Sequence, residues 1–157
     1  MNDILVLMDT REKDNENIKK YFKEKNVMSF TTTLKTGDYL AIKYDCGFYV
    51  EKGCVVDLKN KILELAGNLC GSVANHEKEK RKLERSKELG FKRFVFLVYD
   101  KKVKCIDDLN EWSSEITKVK GTTLAKVLLT MQKKYGCEFI FYNDKKTLGK
   151  KILELLK

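Results

Sequence analysis

The chain alternates short apolar runs with stretches whose apolar residues recur at helical spacing. "ILVLMD" (4 to 9) is a short run that stops in charge, and the Ile18, Tyr21, Phe22 spacing after it predicts an amphipathic helix starting near Asp14 or Asn15. From Met28 to Lys59 the β-branched and aromatic density is high, with turn signals at "KTGD" and "DCG", which predicts three strands in a meander. Asn60 breaks that run, and Ile62, Leu65, Ala66 and Leu69 follow with helical periodicity. "HEKEKRKLERSKELG" predicts a second, strongly charged helix that ends at Gly90. "KRFVFLVYD" (92 to 100) is almost continuously apolar, as a strand covered on both faces is. A helix through Leu124, Val127, Leu128 and Met131, a strand "EFIFY" (138 to 142) and a terminal helix through Ile152, Leu155 and Leu156 complete the order β-α-β-β-β-α-α-β-α-β-α. That order predicts an α/β fold with a central mixed sheet flanked by helices.

A length of 157 residues suits one buried core, and no Pro or Ser/Gly-rich linker interrupts it, so the expectation is a single domain spanning 1–157. A hydrophobic content of 43% sets general disorder aside despite the 35% of charged residues. Thirty-two Lys and Arg against 23 Asp and Glu leave a net charge of +9, which favours a polyanion such as DNA as partner. The plainer account of that charge is a soluble surface. Five cysteines, at 46, 54, 70, 105 and 137, form no CxxC pair, which points away from a zinc ribbon or disulfide framework and towards reduced, buried thiols in a cytoplasmic protein. The first residues are too short an apolar run for a signal peptide or a spanning helix, so no membrane role is expected.

One run carries chemistry. In "CVVDLKNKILELAGNL" (54 to 69), strand alternation puts Val55, Asp57 and Lys59 on one face, with the Cα atoms of Asp57 and Lys59 roughly 6.6 Å apart. Burying either charge alone costs several kcal/mol, which a divalent cation on the carboxylate, with the ammonium facing a phosphate or water, would offset. A hard cation wants more than one carboxylate. "KTGDY" supplies Asp38, and "MDTREKD" supplies Asp9 and Glu12, each at a strand terminus.

"DTRE" (9 to 12), "GDY" (37 to 39) and "VDLKNKILELAGNL" (56 to 69), in that order, resemble the XPF-type (ERCC4-domain) structure-specific endonucleases, in their small phage and bacterial form. The likeness runs on through "HEKEKRKLERSKELGFKRFVFLV" and "KVKGTTLAKVLLTMQKKYGCEFIFYND". The resemblance implies a restriction-endonuclease-like core of the PD-(D/E)XK superfamily and Mg²⁺- or Mn²⁺-dependent hydrolysis of DNA, at branched, flap or fork structures in repair, recombination or replication. Residue by residue it implies metal ligation by Asp9, Asp38, Asp57 and the Leu58 carbonyl, a catalytic role for Glu12 and for Lys59, and an orienting role for Arg11 on the substrate. The family motif reads E-R-K where this chain has Asp57, Leu58 and Lys59, and a further family carboxylate falls on Leu63, beside Glu64. A competing alignment at Glu51 and Lys52 leaves Gly53 where the lysine belongs.

Lys78, Arg81 and Lys82 are candidate DNA-backbone contacts on a helix that otherwise reads as a solvated face with pairs such as Glu77 with Arg81. Lys118 and Lys120 precede a helix and are candidate phosphate contacts. His76 reads as a surface residue and Trp112 as a packing residue. No helix-hairpin-helix segment or P-loop is found, so the resemblance implies a homodimer through the nuclease domain, or a targeting partner, acting at the nucleoid or nucleus. The alternative is a catalytically silent DNA-binding subunit of the same fold.

Overall fold

The computed structural model describes residues 4–45 and 48–157, and of residues 45 and 48–51 the backbone alone. Six strands form one sheet: β1 (Ile4–Asp9), β2 (Met28–Thr32), β3 (Tyr39–Asp45), β4 (Phe48–Lys59), β5 (Arg93–Tyr99) and β6 (Glu138–Tyr142), in the spatial order β2-β1-β3-β4-β5-β6. β3 runs antiparallel to both β1 and β4, while β1 with β2, β4 with β5 and β5 with β6 are parallel. The expected mixed sheet is present.

The meander expected over 28–59 is not. β2 lies on the far side of β1, paired in register from Leu5 with Met28 to Asp9 with Thr32, so only β3 and β4 form a hairpin. The physical reason is the helix α1 (Glu16–Glu24), whose buried Ile18 and Phe22 cross the sheet and return the chain parallel to β1. "DCG" falls partly outside the described residues.

Helices cover both faces. α1 and α5 (Leu148–Leu156) pack on one side with Val6, Met8, Val56, Leu58, Val95 and Leu97. α2 (Ile62–Cys70), α3 (Val73–Glu88) and α4 (Gly121–Tyr135) cover the other side, with Val55, Phe94, Phe96 and Val98. β5 is therefore buried on both faces, which explains its unbroken apolar sequence. Ser72 caps α3 by accepting from the Asn75 N–H at 3.1 Å, and α4 ends at Gly136, whose φ of 69° is left-handed. A short 3₁₀ helix over Ile106–Glu111, outside the expected elements, brings the Leu109 and Trp112 carbonyls against Gly121, where a Cβ would lie 1.8 Å from the Leu109 oxygen. Trp112 is half-buried against the core, as expected. Of the described cysteines, Cys54 and Cys137 are buried, but Cys70 is half-buried and Cys105 exposed, so the expectation of buried thiols holds for two; Cys46 lies outside the described residues.

Topology creates one meeting point. Because β3 opposes β1 and β4, its first residues lie beside the last residues of those two strands. The Asp9 N–H donates to the Asp38 carbonyl at 2.8 Å and the Asp38 N–H to the Val56 carbonyl at 2.9 Å. Gly37 makes the turn into β3 with φ 64°, and a Cβ there would stand 2.3 Å from Val55 Cγ1. Gly37→Ala is expected to lower the free energy of unfolding by on the order of 2 kcal/mol in a urea titration, through steric overlap and a strained φ together.

Candidate active site

The strand ends gather four acidic and two basic groups. Asp57 and Lys59 point from β4 into the helix-covered face, at 2% and 3% exposure, which means both charges are dry. Lys59 Nζ lies 2.9 Å from Asp57 Oδ2 and 3.3 Å from Glu79 Oε1. Burial opposes the charge on Lys59, but Asp57 and Glu79 outweigh it and raise its pKa. Glu79, on α3, is itself buried, and its Oε2 has no hydrogen-bond partner. Nothing in the sequence reading singled it out. Its signal was nonetheless present: Glu79, Leu83 and Ser86 are spaced i, i+4, i+7 and form the buried stripe of α3.

Lys82 lies one turn beyond Glu79. Its Nζ is 3.2 and 3.4 Å from the two oxygens of Asp57 and 3.3 Å from Glu79 Oε1. The ammonium expected on the DNA backbone thus rests on a carboxylate in this structure. Lys78 and Arg81 are exposed on the same helix, and Glu77 pairs with Lys80 at 4.0 Å rather than with Arg81. The i,i+3 partner lies closer here than the i,i+4 one. α3 is fastened to the loop before β3, because the Thr36 hydroxyl donates to the Lys82 carbonyl at 2.9 Å and Arg85 to the Lys35 carbonyl at 3.0 Å.

Asp38 completes the acidic side. Its Oδ2 accepts from the Leu58 N–H at 2.7 Å, which fixes the carboxylate against the end of β4. Burial first, then the Asp57 and Glu12 charges, push its pKa up to about 8. Glu12 is also raised, chiefly by burial and by Asp57 and Asp9, although its hydrogen bond to Asp38 works the other way. The two groups titrate as a coupled pair.

Asp9 stands apart in character. Arg11 grips both its oxygens, with Nε at 2.7 Å and Nη2 at 2.6 Å; the Arg11 and Leu34 N–H groups donate to it at 2.7 and 3.0 Å. Those bonds, Arg11 foremost, hold its pKa low against burial. Both oxygens expected to serve a cation are therefore engaged in joining the β1 end to the 34 loop. Glu64 accepts from the Asn60 N–H at 2.9 Å at the start of α2. His76 is half-buried, with Nδ1 3.0 Å from the Leu69 carbonyl, so it is a packing contact rather than a plain surface residue. Lys118 and Lys120 are exposed before α4, with no ion pair to the carboxylates among the described residues. A cleft of about 500 Å³ opens beside Glu12, Leu58 and Asn60, bordered by Lys13, Lys145 and Lys146.

The donor set fits a hard divalent cation. Asp38 and Glu12, half-buried, and Asp57, buried, are oxygen ligands whose mutual repulsion raises the pKa values of Asp38 and Glu12 and is eased by two ammoniums, which is the electrostatic need a dication meets. Among the described residues, no three of His, Cys, Asp and Glu already enclose a common point as a finished cage. A cation would enter by displacing a proton and an ammonium.

A mixed six-stranded sheet between two helical layers, with charged groups at a shared strand end, defines a restriction-endonuclease-like α/β fold. The ERCC4 domain model matches residues 8–155, and the chain belongs to that family, an XPF-type nuclease by fold. XPF from Aeropyrum pernix superposes with a TM-score of 0.66 at 17% identity, covering 97% of this chain and 59% of that one. XPF from the same organism in complex with DNA gives 0.63 at 17% identity, over 97% and 62%. This chain thus spans about three-fifths of those solved chains. No curated protein matches. Among the described residues no helix is long and apolar enough to cross a membrane.

Proposed function

We propose that the protein is a metal-dependent DNA endonuclease that hydrolyses phosphodiester bonds at branched, flap or fork structures inside the cell. The observation that carries the reading is the convergence of Asp38 and Asp57, held through the Leu58 N–H, beside a buried Lys59. Family membership and a net charge of +9 support a DNA substrate. This chain spans about three-fifths of the neighbouring solved chains, and a homodimer or a targeting partner that helps to recognise the branch is part of the proposal.

Asp38, Asp57 and the Leu58 carbonyl are the groups that would hold Mg²⁺ or Mn²⁺, with Glu12 as third carboxylate. Such an ion, when bound, lowers the pKa of water and polarises a phosphoryl oxygen. Asp57 and Glu79 raise the pKa of Lys59 and so favour its charged form. Its role is electrostatic: a fixed positive charge where negative charge grows on phosphorus. Asp9 fixes Arg11 and the 34 loop, and so the wall against which Asp38 sits. The basic border of the cleft, Lys13, Lys145 and Lys146, gives the cut strand a path away from the carboxylates.

Cleavage of flap, fork and plain duplex DNA with Mg²⁺ or Mn²⁺ tests this. Asp57→Ala is expected to reduce cutting by about three orders of magnitude or more, because it removes metal-held charge stabilisation. Equal cutting by wild type and variant would overturn the site; DNA binding without cutting by wild type would make this the catalytically silent subunit instead.

A further inference from the structure

Two ammoniums touch Asp57, and they are not alike. Lys59 is 3% exposed, enclosed between Asp57 and Glu79, with its Nζ 5.8 Å above the Phe96 ring. Lys82 is 34% exposed and reaches the same carboxylate from α3, along a flexible four-carbon stem that solvent already wets. Its charge also acts on Asp38. Lys82 therefore holds one of the two carboxylates a cation would use, and its charge is felt by the other. We propose that the Lys82 ammonium is an exchangeable occupant of Asp57, displaced when a divalent cation binds and drawn outward by DNA phosphate, so that metal and DNA bind cooperatively.

Charge balance supports the exchange. Asp57 and Glu79 carry two negative charges and Lys59 and Lys82 two positive ones, so these four side chains balance one another without metal. A dication added at Asp57 creates an excess beside an ammonium only a few Å away, and of the two lysines only Lys82 has somewhere to go. Solvent is one destination. A phosphodiester is a better one, since the released ammonium then pairs with an anion instead of facing a cation. Phosphate that draws Lys82 off Asp57 frees the carboxylate for metal, and metal that expels Lys82 offers it to phosphate. Thermodynamic reciprocity makes these one coupling, equal in both directions. A permanent phosphate contact has no such effect on metal binding.

The inference rests on the nuclease reading in taking Asp57 as a metal ligand. The test is calorimetric titration of Mn²⁺ into metal-free wild type, Lys82→Met, Lys82→Gln and Lys82→Arg, alone and with a flap DNA protected by phosphorothioate linkages. Without DNA, Lys82→Met and Lys82→Gln are expected to bind Mn²⁺ about 10-fold tighter than wild type, with Lys82→Arg close to wild type. Protected DNA is expected to tighten Mn²⁺ binding by wild type about 10-fold and to change the two uncharged variants less than about twofold. Equal or weaker Mn²⁺ binding by both uncharged variants, or the same DNA enhancement in them as in wild type, overturns the exchange. Asp57→Asn separates the two failures: wild-type Mn²⁺ binding by that variant refutes the metal site itself, whereas loss of binding there with unchanged Lys82 variants refutes only the exchange. Using two uncharged variants of different length keeps a folding defect in one from deciding the outcome.

Discussion

Lys59→Met will abolish cutting and also cost the fold on the order of 10 °C in melting temperature, and the two losses will separate. Removing the ammonium leaves Asp57 and Glu79 facing each other, both under 6% exposed, with a single remaining cation on the solvent side, Lys82. Breaking a buried ion pair from one side typically costs about 3–5 kcal/mol. For a domain of this size that corresponds to on the order of 10 °C. Adding Glu79→Gln to Lys59→Met leaves Asp57 as the one charge facing Lys82 while keeping the side chain's volume. Most of the stability should return, measured by thermal or urea unfolding. Cleavage should not, because the charge proposed to face the scissile phosphate is still missing. Restored cleavage in the double variant would make Lys59 a structural residue only; unrestored stability would mean that the Lys59 stem, rather than its charge, carries the packing against Phe96.

The same network shows where the sequence was readable. Alternation alone places Asp57 and Lys59 on the face of Val55, because the period of a strand is two and β4 is long enough to hold it. The element order was legible for the same reason, as apolar periodicity is local. β2 was not: nothing in "MSFTT" records that its partner is β1, since strand pairing is decided by how α1 crosses the sheet. Local chemistry left Asp9 open. A D-x-R segment can present its carboxylate to a cation or clamp it with its own arginine, and only the fold, by bringing Leu34 N–H to the same oxygen, selects the clamp. Glu79 was hidden by company, a carboxylate in a helix where charges are dense, although its register with Leu83 marks it as inward-facing. Lys82 was read as a candidate DNA-backbone contact, and its reach to Asp57 was not legible because it depends on how α3 packs over β4.

Asp38→Asn is expected to make the metal-free protein more stable at pH 8 while destroying metal binding. The sign follows from the raised pKa. An unfolded Asp titrates near 3.8, whereas in the fold burial, Asp57 and Glu12 hold the Asp38 carboxyl protonated up to about 8. Between those values the folded state binds a proton that the unfolded state has already released, so stability falls as pH rises. The slope limit for one proton is about 1.4 kcal/mol per pH unit, and coupling to Glu12 makes the realised slope shallower. Metal-free wild type should therefore lose several degrees of melting temperature between pH 6 and pH 8, on the order of 2–4 °C for each kcal/mol. The Asn amide carbonyl can still accept the Leu58 N–H while carrying no charge to repel Asp57, so the variant's melting curve should be flatter over that interval and higher at its alkaline end. Mn²⁺ reverses the order. It should raise the wild-type melting temperature, increasingly as pH rises and the ion no longer competes with the Asp38 proton, and leave the variant unmoved. Parallel pH dependences for the two metal-free proteins would show that Asp38 is ionised at neutral pH and that the acidic cluster is relieved by Lys82 and solvent alone. A variant still stabilised by Mn²⁺ would place the cation on Asp57 and Glu12 without Asp38. The reason to expect neither is geometric: Asp38 is fixed by a backbone N–H of the strand that carries Asp57, so its carboxylate has nowhere to turn that escapes the repulsion.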